Sequence, residues 1–204
     1  YRSILVTQVY TYSSRMADSK SLSRHHYSEE VEAAVNKQIN LELYASYLYL
    51  SMATYFSRSE ISLPHISMWL RKQSDEERSH ALMLIQFQTM RGGRVRFESI
   101  AKPEKEEWDR ALEGFQVALE LERKTNDSLL YLHSVGQKQN DPHICAFVEE
   151  KYLREQVKSI DEIARFVTIL KRAGRGLGEY IFDTKNFQES EESIVGETIT
   201  ELAH

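Results

Sequence analysis

The sequence predicts an all-α fold, a four-helix bundle with a long crossover between helices two and three and a short fifth helix. Two observations predict it. From Ser28 onward, apolar residues recur with helical spacing almost without interruption. The 204 residues include only three prolines and eight glycines, so few positions oppose long helices. Four long segments with one apolar stripe each are typical of helices that pack around a common core.

Helices one and two are each defined by an end signal and a stripe. Ser28 is the expected N-cap of helix one, because acidic residues follow it in the first turn. The apolar face of helix one carries Glu42 among Val31, Val35, Ala45, Tyr49 and Met52. Helix two is expected from "SLPHIS" to "RGGR", where glycines end a helix at little cost. Its stripe contains Ile66, Leu70, Gln73, Glu77, His80, Leu84 and Phe87.

End signals and apolar stripes also predict the third, fourth and fifth helices. Helix three is expected from about Glu106, with a stripe of Trp108, Leu112, Phe115, Leu119, Glu122 and Leu129. Helix four is expected from Asp141 as N-cap and Pro142 at the first position to Gly174. Its stripe contains Tyr152, Gln156, Ile160, Ile163, Val167 and Leu170. A fifth helix is expected over about residues 177–188, with Leu177, Ile181 and Phe187 as its apolar side.

The lengths of the connections predict the topology. The first and third links are short, which makes antiparallel pairs. A helix of ~29 residues is about 43 Å long, and the roughly 15 residues between Gly92 and Glu106 can span about 50 Å when extended. Helices two and three are therefore expected to run parallel.

Composition limits the partners and the compartment. A net charge of -5 and a pI near 5.9 argue against nucleic-acid binding. No apolar run approaches the ~20 residues that span a bilayer, so no membrane partner is expected. The single cysteine, Cys145, excludes an intrachain disulfide and favours a reducing compartment. We therefore expect a cytoplasmic protein.

Both ends of the chain fall outside the predicted bundle. Residues 1–27 form an N-terminal extension that is either flexible or targeting. Its first fifteen residues contain two arginines and no acid, a loosely transit-peptide-like composition that leaves a mitochondrial or secreted location open. "MADS" at residues 16–19 equally resembles a natural start, with a translated leader before it. Residues 189–204 are expected to be an acidic tail.

Polar residues lie at the midpoints of the four helices, and therefore at one height in the bundle. They are Glu42, Glu77, Glu122 and Gln156. Long helices carry polar residues at many heights, so any one of these could face solvent by chance. Four coincident midpoints instead predict three converging carboxylates, which repel each other and are costly to bury. No Lys or Arg lies near the midpoints of these stripes, so a pair of divalent cations is the expected partner.

Glu77 and His80 have the i, i+3 spacing that brings a carboxylate and an imidazole to one metal. Carboxylates with one imidazole suit iron or manganese. The segment "REQVKSID" on helix four has no second histidine. An asymmetric site follows: Glu42, Glu77 and His80 hold one metal, while Glu77 and Glu122 hold the other loosely. Glu76 and Gln156 lie near the second metal, and Tyr49 taken alone could be a core residue.

The chain resembles a known family. The segments "NKQINLELYASYLYLSM", "SDEERSHALML", "QTMRGGRV", "ALELERKTNDSLLYLH", "NDPHICAFVEEKYLREQVKSI" and "GLGEYIFD" resemble a eukaryotic ferritin of the heavy-chain, ferroxidase-active type. The resemblance covers about residues 28–188. It implies a ferritin-like bundle, a homo-oligomeric cage of twenty-four subunits, O₂-dependent oxidation of Fe²⁺, and storage of ferric oxide mineral.

The resemblance also implies roles for single residues. It assigns Glu42, Glu77 and His80 to the first iron and Glu77 with Glu122 to the second. Glu76, Tyr49 and Gln156 receive supporting roles in catalysis. It implies a three-fold pore lined by His133, Cys145 and Glu149, and a four-fold channel lined by Leu177, Ile181 and Lys185. Iron is the expected ion, no haem is expected, and co-assembly with other ferritin subunits is compatible with it.

Three departures from the family pattern carry expectations. Ala146 stands where the pore has an aspartate, so attraction of Fe²⁺ should weaken and its passage should slow. Lys72, Ser79 and Leu82 stand where acids often promote mineral nucleation, which predicts poor nucleation or a tolerated variation. The linker "KRAGRGLGEY" is shorter than usual, which could alter the four-fold channel.

Two other functions compete with iron storage by a ferroxidase. One is an interaction or delivery shell whose iron chemistry is secondary, as the unusual termini would suit. The other is a di-iron redox enzyme with a small organic substrate. The missing histidine on helix four and the absence of a substrate-pocket motif argue against the second.

Overall fold

The computed structural model describes residues 21–187, and their helices are arranged as the sequence predicts. The helices are α1 (Glu29–Phe56), α2 (Pro64–Met90), α3 (Ala111–Lys138), α4 (Pro142–Val148), α5 (Arg154–Ala173) and α6 (Leu177–Asn186). A π-helical segment, Glu149–Leu153, joins α4 to α5 into one rod, the predicted fourth helix. The described residues contain no strand. The all-α bundle with a short final helix is therefore confirmed; residues 1–20 and the predicted tail lie outside the described part.

Two predicted helix starts are confirmed by their side-chain caps. Ser28 is extended, and its Oγ accepts a hydrogen bond from Val31 N at 3.1 Å. Asp141 Oδ1 accepts from His143 N at 3.1 Å and Ile144 N at 3.3 Å, with Pro142 at the first helical position. Both caps satisfy N–H groups that have no partner within the helix.

The predicted start of the third helix near Glu106 is wrong. Arg110 is extended (φ −165°, ψ 167°) and α3 begins only at Ala111. Trp108 lies in the preceding segment, where its fully buried ring packs 5.5 Å from Tyr55. Because Trp108 is four residues before Leu112, its position in the sequence mimics one turn of a helical stripe.

The starts of α2 and α3 are capped by carboxylates of α6. Neither Leu63 nor Arg110, which precede these helices, supplies a side-chain cap. Ile66 N donates instead to Asp183 Oδ1 at 2.7 Å, and Ala111 N donates to Glu179 Oε1 at 3.0 Å. Glu179 and Asp183 are one turn apart on α6. The starts of α2 and α3 therefore lie at the same end of the bundle, so the predicted parallel arrangement is confirmed.

This capping also corrects the predicted apolar side of the fifth helix. Phe182, Asp183 and Phe187 face the bundle and are buried, whereas Leu177 and Ile181 are 72% and 49% exposed. The helix is turned so that Asp183 can reach Ile66 N and His65 Nδ1, the latter at 3.0 Å. Only Phe187, of the three residues predicted for this side, is buried.

The hydrophobic core is divided into two clusters along the bundle. One cluster includes Phe56, Phe115 and Phe182 at the α6 end, and the other includes Ile39, Leu84 and Leu129 at the opposite end. Buried polar side chains occupy the layer between them. They are Gln38, Glu42, Ser74, Glu77, Glu122, Thr125 and Gln156.

Replacing Asp183 by Ala should destabilise the folded chain by about 2 kcal/mol, because it removes both acceptor oxygens that Ile66 N and His65 Nδ1 contact at the start of α2. Denaturant unfolding followed by circular dichroism measures the change. Asp127→Ala, at an exposed position on α3, is the matched control. A loss no larger than that of the control would show that α6 does not act as a cap.

Candidate metal centre

The polar layer contains all four residues that the sequence placed at the helix midpoints. Glu42 on α1, Glu77 on α2, Glu122 on α3 and Gln156 on α5 are each at most 6% exposed. All four lie at one height, between the two apolar clusters. The layer therefore contains three buried carboxyl groups with no bulk water to solvate them.

Three of the predicted ligands lie close enough to hold one ion. The ligand atoms of Glu42, Glu77 and His80 all lie within 4.8 Å of one another. His80 Nδ1 is 3.3 Å from Glu77 Oε2, which is the contact that the i, i+3 spacing predicts. The group offers carboxylate oxygens and one imidazole, a donor set that suits Fe²⁺.

The two oxygens of Glu42 have different surroundings. Oε1 accepts a hydrogen bond from Gln38 Nε2 at 2.8 Å. Oε2 is fully buried, and among residues 21–187 no N–H or hydroxyl group donates to it; the carboxyl group of Glu77 is the other hydrogen-bonding neighbour of Glu42. A buried acceptor without a partner costs about 1–3 kcal/mol, and more when it carries charge. A cation bound between Glu42 and Glu77 would remove that cost.

Burial and mutual repulsion raise the pKa values of the carboxyl groups. Burial, and then the charge of Glu77, raise the pKa of Glu42 well above its usual range. Burial, and then the charge of Glu122, raise the pKa of Glu77 to about 8. Burial also raises the pKa of Glu122, although its hydrogen bonds from Tyr49 and Gln156 oppose the rise. Without a cation, the site therefore retains protons near neutral pH.

Glu122 is held by two neutral donors. The hydroxyl of Tyr49 donates to Glu122 Oε1, and Gln156 Nε2 donates to Oε2 as well as to the backbone oxygen of Glu122 at 3.0 Å. Burial raises the pKa of Tyr49 well above its usual range, so the phenol keeps its proton. The structure thus brings Tyr49 and Gln156 to the predicted site, where both contact a carboxylate.

A second group of potential ligands includes a residue that the sequence reasoning missed. Glu76, His80 and Glu155 also have ligand atoms within 4.8 Å of one another, and His80 Nε2 is 3.3 Å from Glu155 Oε2. Burial, and then the contact with Glu155, raise the pKa of the half-buried Glu76. The only sequence signal for Glu155 is its position beside Gln156, off the buried stripe.

The π-helical segment contacts His80. Tyr152 lies within it, and its hydroxyl donates to the backbone oxygen of His80 at 2.9 Å. A π turn inserts extra residues into the rod and changes which side chains face inward. Tyr152 is buried as a result, while Glu149 at the start of the same segment is exposed.

The predicted pore residues form a surface cluster. His133 Nε2 is 2.6 Å from Glu149 Oε1, and Cys145 Sγ donates to the backbone oxygen of His133 at 3.7 Å. Ala146 is exposed nearby and lines an open cavity of about 750 Å³ that includes Phe87.

The other predicted surface residues point away from the bundle. Leu177, Ile181 and Lys185 are exposed at successive turns of α6. Lys72, Ser79 and Leu82 are exposed on α2. Among the described helices, none combines the length and apolarity that a bilayer crossing needs.

The chain is similar to known proteins over most of its length. A family profile described as "Ferritin-like domain" matches residues 32–173. The chain is 48% identical over 171 residues to a ferritin heavy chain of Echinococcus granulosus, a match that covers 84% of this chain and 99% of the relative. It is also 48% identical over 172 residues to a soma ferritin of Lymnaea stagnalis, with the same coverage of both chains.

Because the pKa of Glu77 is raised, the free energy of unfolding of the metal-free protein should depend on pH. Between pH 4.5 and about 8 the folded protein holds a proton that the unfolded chain releases, so this group's contribution to stability falls as the pH rises. Glu77→Gln removes the titration and should stabilise the metal-free chain relative to wild type, more at pH 8 than at pH 5. Denaturant unfolding in a chelating buffer measures this. A difference independent of pH would contradict the account.

Proposed function

Since the chain belongs to the ferritin family, we propose that it stores iron. It oxidises Fe²⁺ with O₂ at an intrasubunit di-iron site and keeps the ferric oxide mineral inside a cage of twenty-four subunits. The observation that carries the proposal is the buried carboxyl group of Glu42, which lies within reach of Glu77 and His80 and whose Oε2 accepts no hydrogen bond from an N–H or hydroxyl group of the described residues. A cation is the partner that this oxygen lacks.

The two iron positions differ in how strongly the protein binds them. The first iron is bound by Glu42, Glu77 and His80. The second is bound by Glu77, which bridges the two ions, and by Glu122. Both oxygens of Glu122 already accept hydrogen bonds, so the second iron competes with Tyr49 and Gln156 for them. Weak binding suits an ion that is a substrate and must leave after oxidation.

The residues around the two ions supply charge and position. Each Fe²⁺ loses one electron, and O₂ takes up both electrons and two protons to become hydrogen peroxide. The carboxylates attract the product Fe³⁺ more strongly than Fe²⁺, because the attraction increases with the charge of the ion. They therefore favour the oxidation. Tyr49 and Gln156 hold Glu122 in place, and Glu76 lies at the half-buried rim, where it contacts Glu155.

The proposed cage depends on surfaces that are exposed in the single chain. Leu177 and Ile181 on α6 are large, exposed apolar residues. Neighbouring copies of the chain would cover them in a four-fold channel that also includes Lys185. His133, Cys145 and Glu149 line the proposed three-fold pore. Ala146 contributes no carboxylate there, so Fe²⁺ passes more slowly than through an acidic ring. The proposed compartment is the cytoplasm, and other ferritin subunits could join the cage.

The central test follows aerobic Fe²⁺ oxidation by ferric absorbance and O₂ uptake. The variant that combines Glu77→Lys with His80→Gly should oxidise Fe²⁺ at the rate of protein-free buffer, because it places a cation where the first iron binds. Wild type should be much faster and should consume O₂ in proportion to the iron added.

Glu120→Gln is the matched control, since Glu120 is an exposed carboxylate on α3 two residues from Glu122. It should retain the wild-type rate. Size-exclusion chromatography with light scattering should place all three proteins near twenty-four times the 23.8 kDa subunit mass. Equal oxidation rates for wild type and the double variant would refute the ferroxidase proposal.

A further inference from the structure

We propose that Gln38 is a positioning residue for the metal centre. Its side-chain amide, fixed by Ser128, holds Glu42 Oε1 and thereby leaves Oε2 as the oxygen that meets the metal. This inference rests on the proposed function and adds to it a residue that contacts neither iron.

Gln38 lies one turn before Glu42 on α1 and is only 1% exposed. Its Nε2 donates to Glu42 Oε1 at 2.8 Å. Residues four apart on a helix lie side by side, so this contact needs no rearrangement of the backbone. One oxygen of Glu42 thus accepts a hydrogen bond from a residue of the same helix.

Ser128 on α3 contacts the other end of the Gln38 amide. The hydroxyl of Ser128 is 2.5 Å from Gln38 Oε1 and donates to it. When a cation is bound, Glu42 is ionised and can only accept hydrogen bonds, so the amide nitrogen faces Glu42 and the amide oxygen faces Ser128. The two contacts together define a single orientation: Ser128 donates to Gln38, and Gln38 donates to Glu42.

A neutral donor is the appropriate kind of residue at this position. A lysine would pair with Glu42 and cancel the charge that binds the metal. A glutamate would add a fourth carboxylate to a layer that already repels itself. The amide supplies one hydrogen bond and leaves the charge of Glu42 available, so that Oε2, which has no donor, is directed to the ion.

A second buried glutamine shows what a purely structural role looks like. Gln88 on α2 is fully buried, its Nε2 donates to the backbone oxygens of Glu32 at 3.0 Å and Arg94 at 3.3 Å, and its Oε1 accepts from the hydroxyl of Tyr27. It joins the crossover segment to the bundle. None of these partners of Gln88 is a proposed metal ligand, whereas Gln38 donates to Glu42, which is one.

The test is a titration of the intact protein with Co²⁺, followed by the visible absorbance of the bound ion. Gln38→Leu should weaken Co²⁺ binding about 10-fold and alter the absorption band, because Glu42 is no longer held on one oxygen. Ser128→Ala should weaken binding by a smaller factor, since the amide can then rotate. Ser128→Thr keeps the hydroxyl and should bind Co²⁺ as wild type does.

Gln88→Leu is the control for a buried glutamine lost from the fold. It should lower the unfolding midpoint without changing the Co²⁺ dissociation constant. The positioning role is overturned if Gln38→Leu binds Co²⁺ within two-fold of wild type, or if Gln88→Leu weakens binding as much. A wild type that shows no saturable Co²⁺ absorbance would instead overturn the proposed metal centre, and the positioning role with it.

Discussion

The repulsion among three carboxyl groups buried at mid-bundle is the constraint on which the rest of the structure depends. Burial raises the pKa values of Glu42, Glu77 and Glu122 together, so the metal-free layer gains no stability from its charges. The two apolar clusters on either side supply the packing that holds this layer in place.

The donors that contact these carboxylates follow one rule. For Glu42 and Glu122 these donors are neutral: Gln38 holds Glu42, while Tyr49 and Gln156 hold Glu122. Neutral donors orient a carboxylate without cancelling its charge, which remains available for a cation. The layer is therefore built to bind positive ions at a cost in stability, as is usual where a site serves function more than folding.

Sequence reasoning predicted the features that depend on local spacing. The caps at Ser28 and Asp141 and the shared height of the midpoint residues needed only helical periodicity and chain length. The predictions of where α3 starts and which side of α6 is buried were wrong, because both features depend on contacts between distant segments. These are the contacts of Glu179 and Asp183 with other helices. Glu155 was missed because it is off the buried stripe and reaches His80 only in the folded rod.

The most direct measurement of the central claim is anomalous diffraction at the iron edge from crystals soaked anaerobically with Fe²⁺. Our account predicts a strong peak within coordination distance of Glu42, Glu77 and His80, and a weaker peak between Glu77 and Glu122. Iron peaks confined to the surface, with Glu42 Oε2 still lacking a partner, would contradict it.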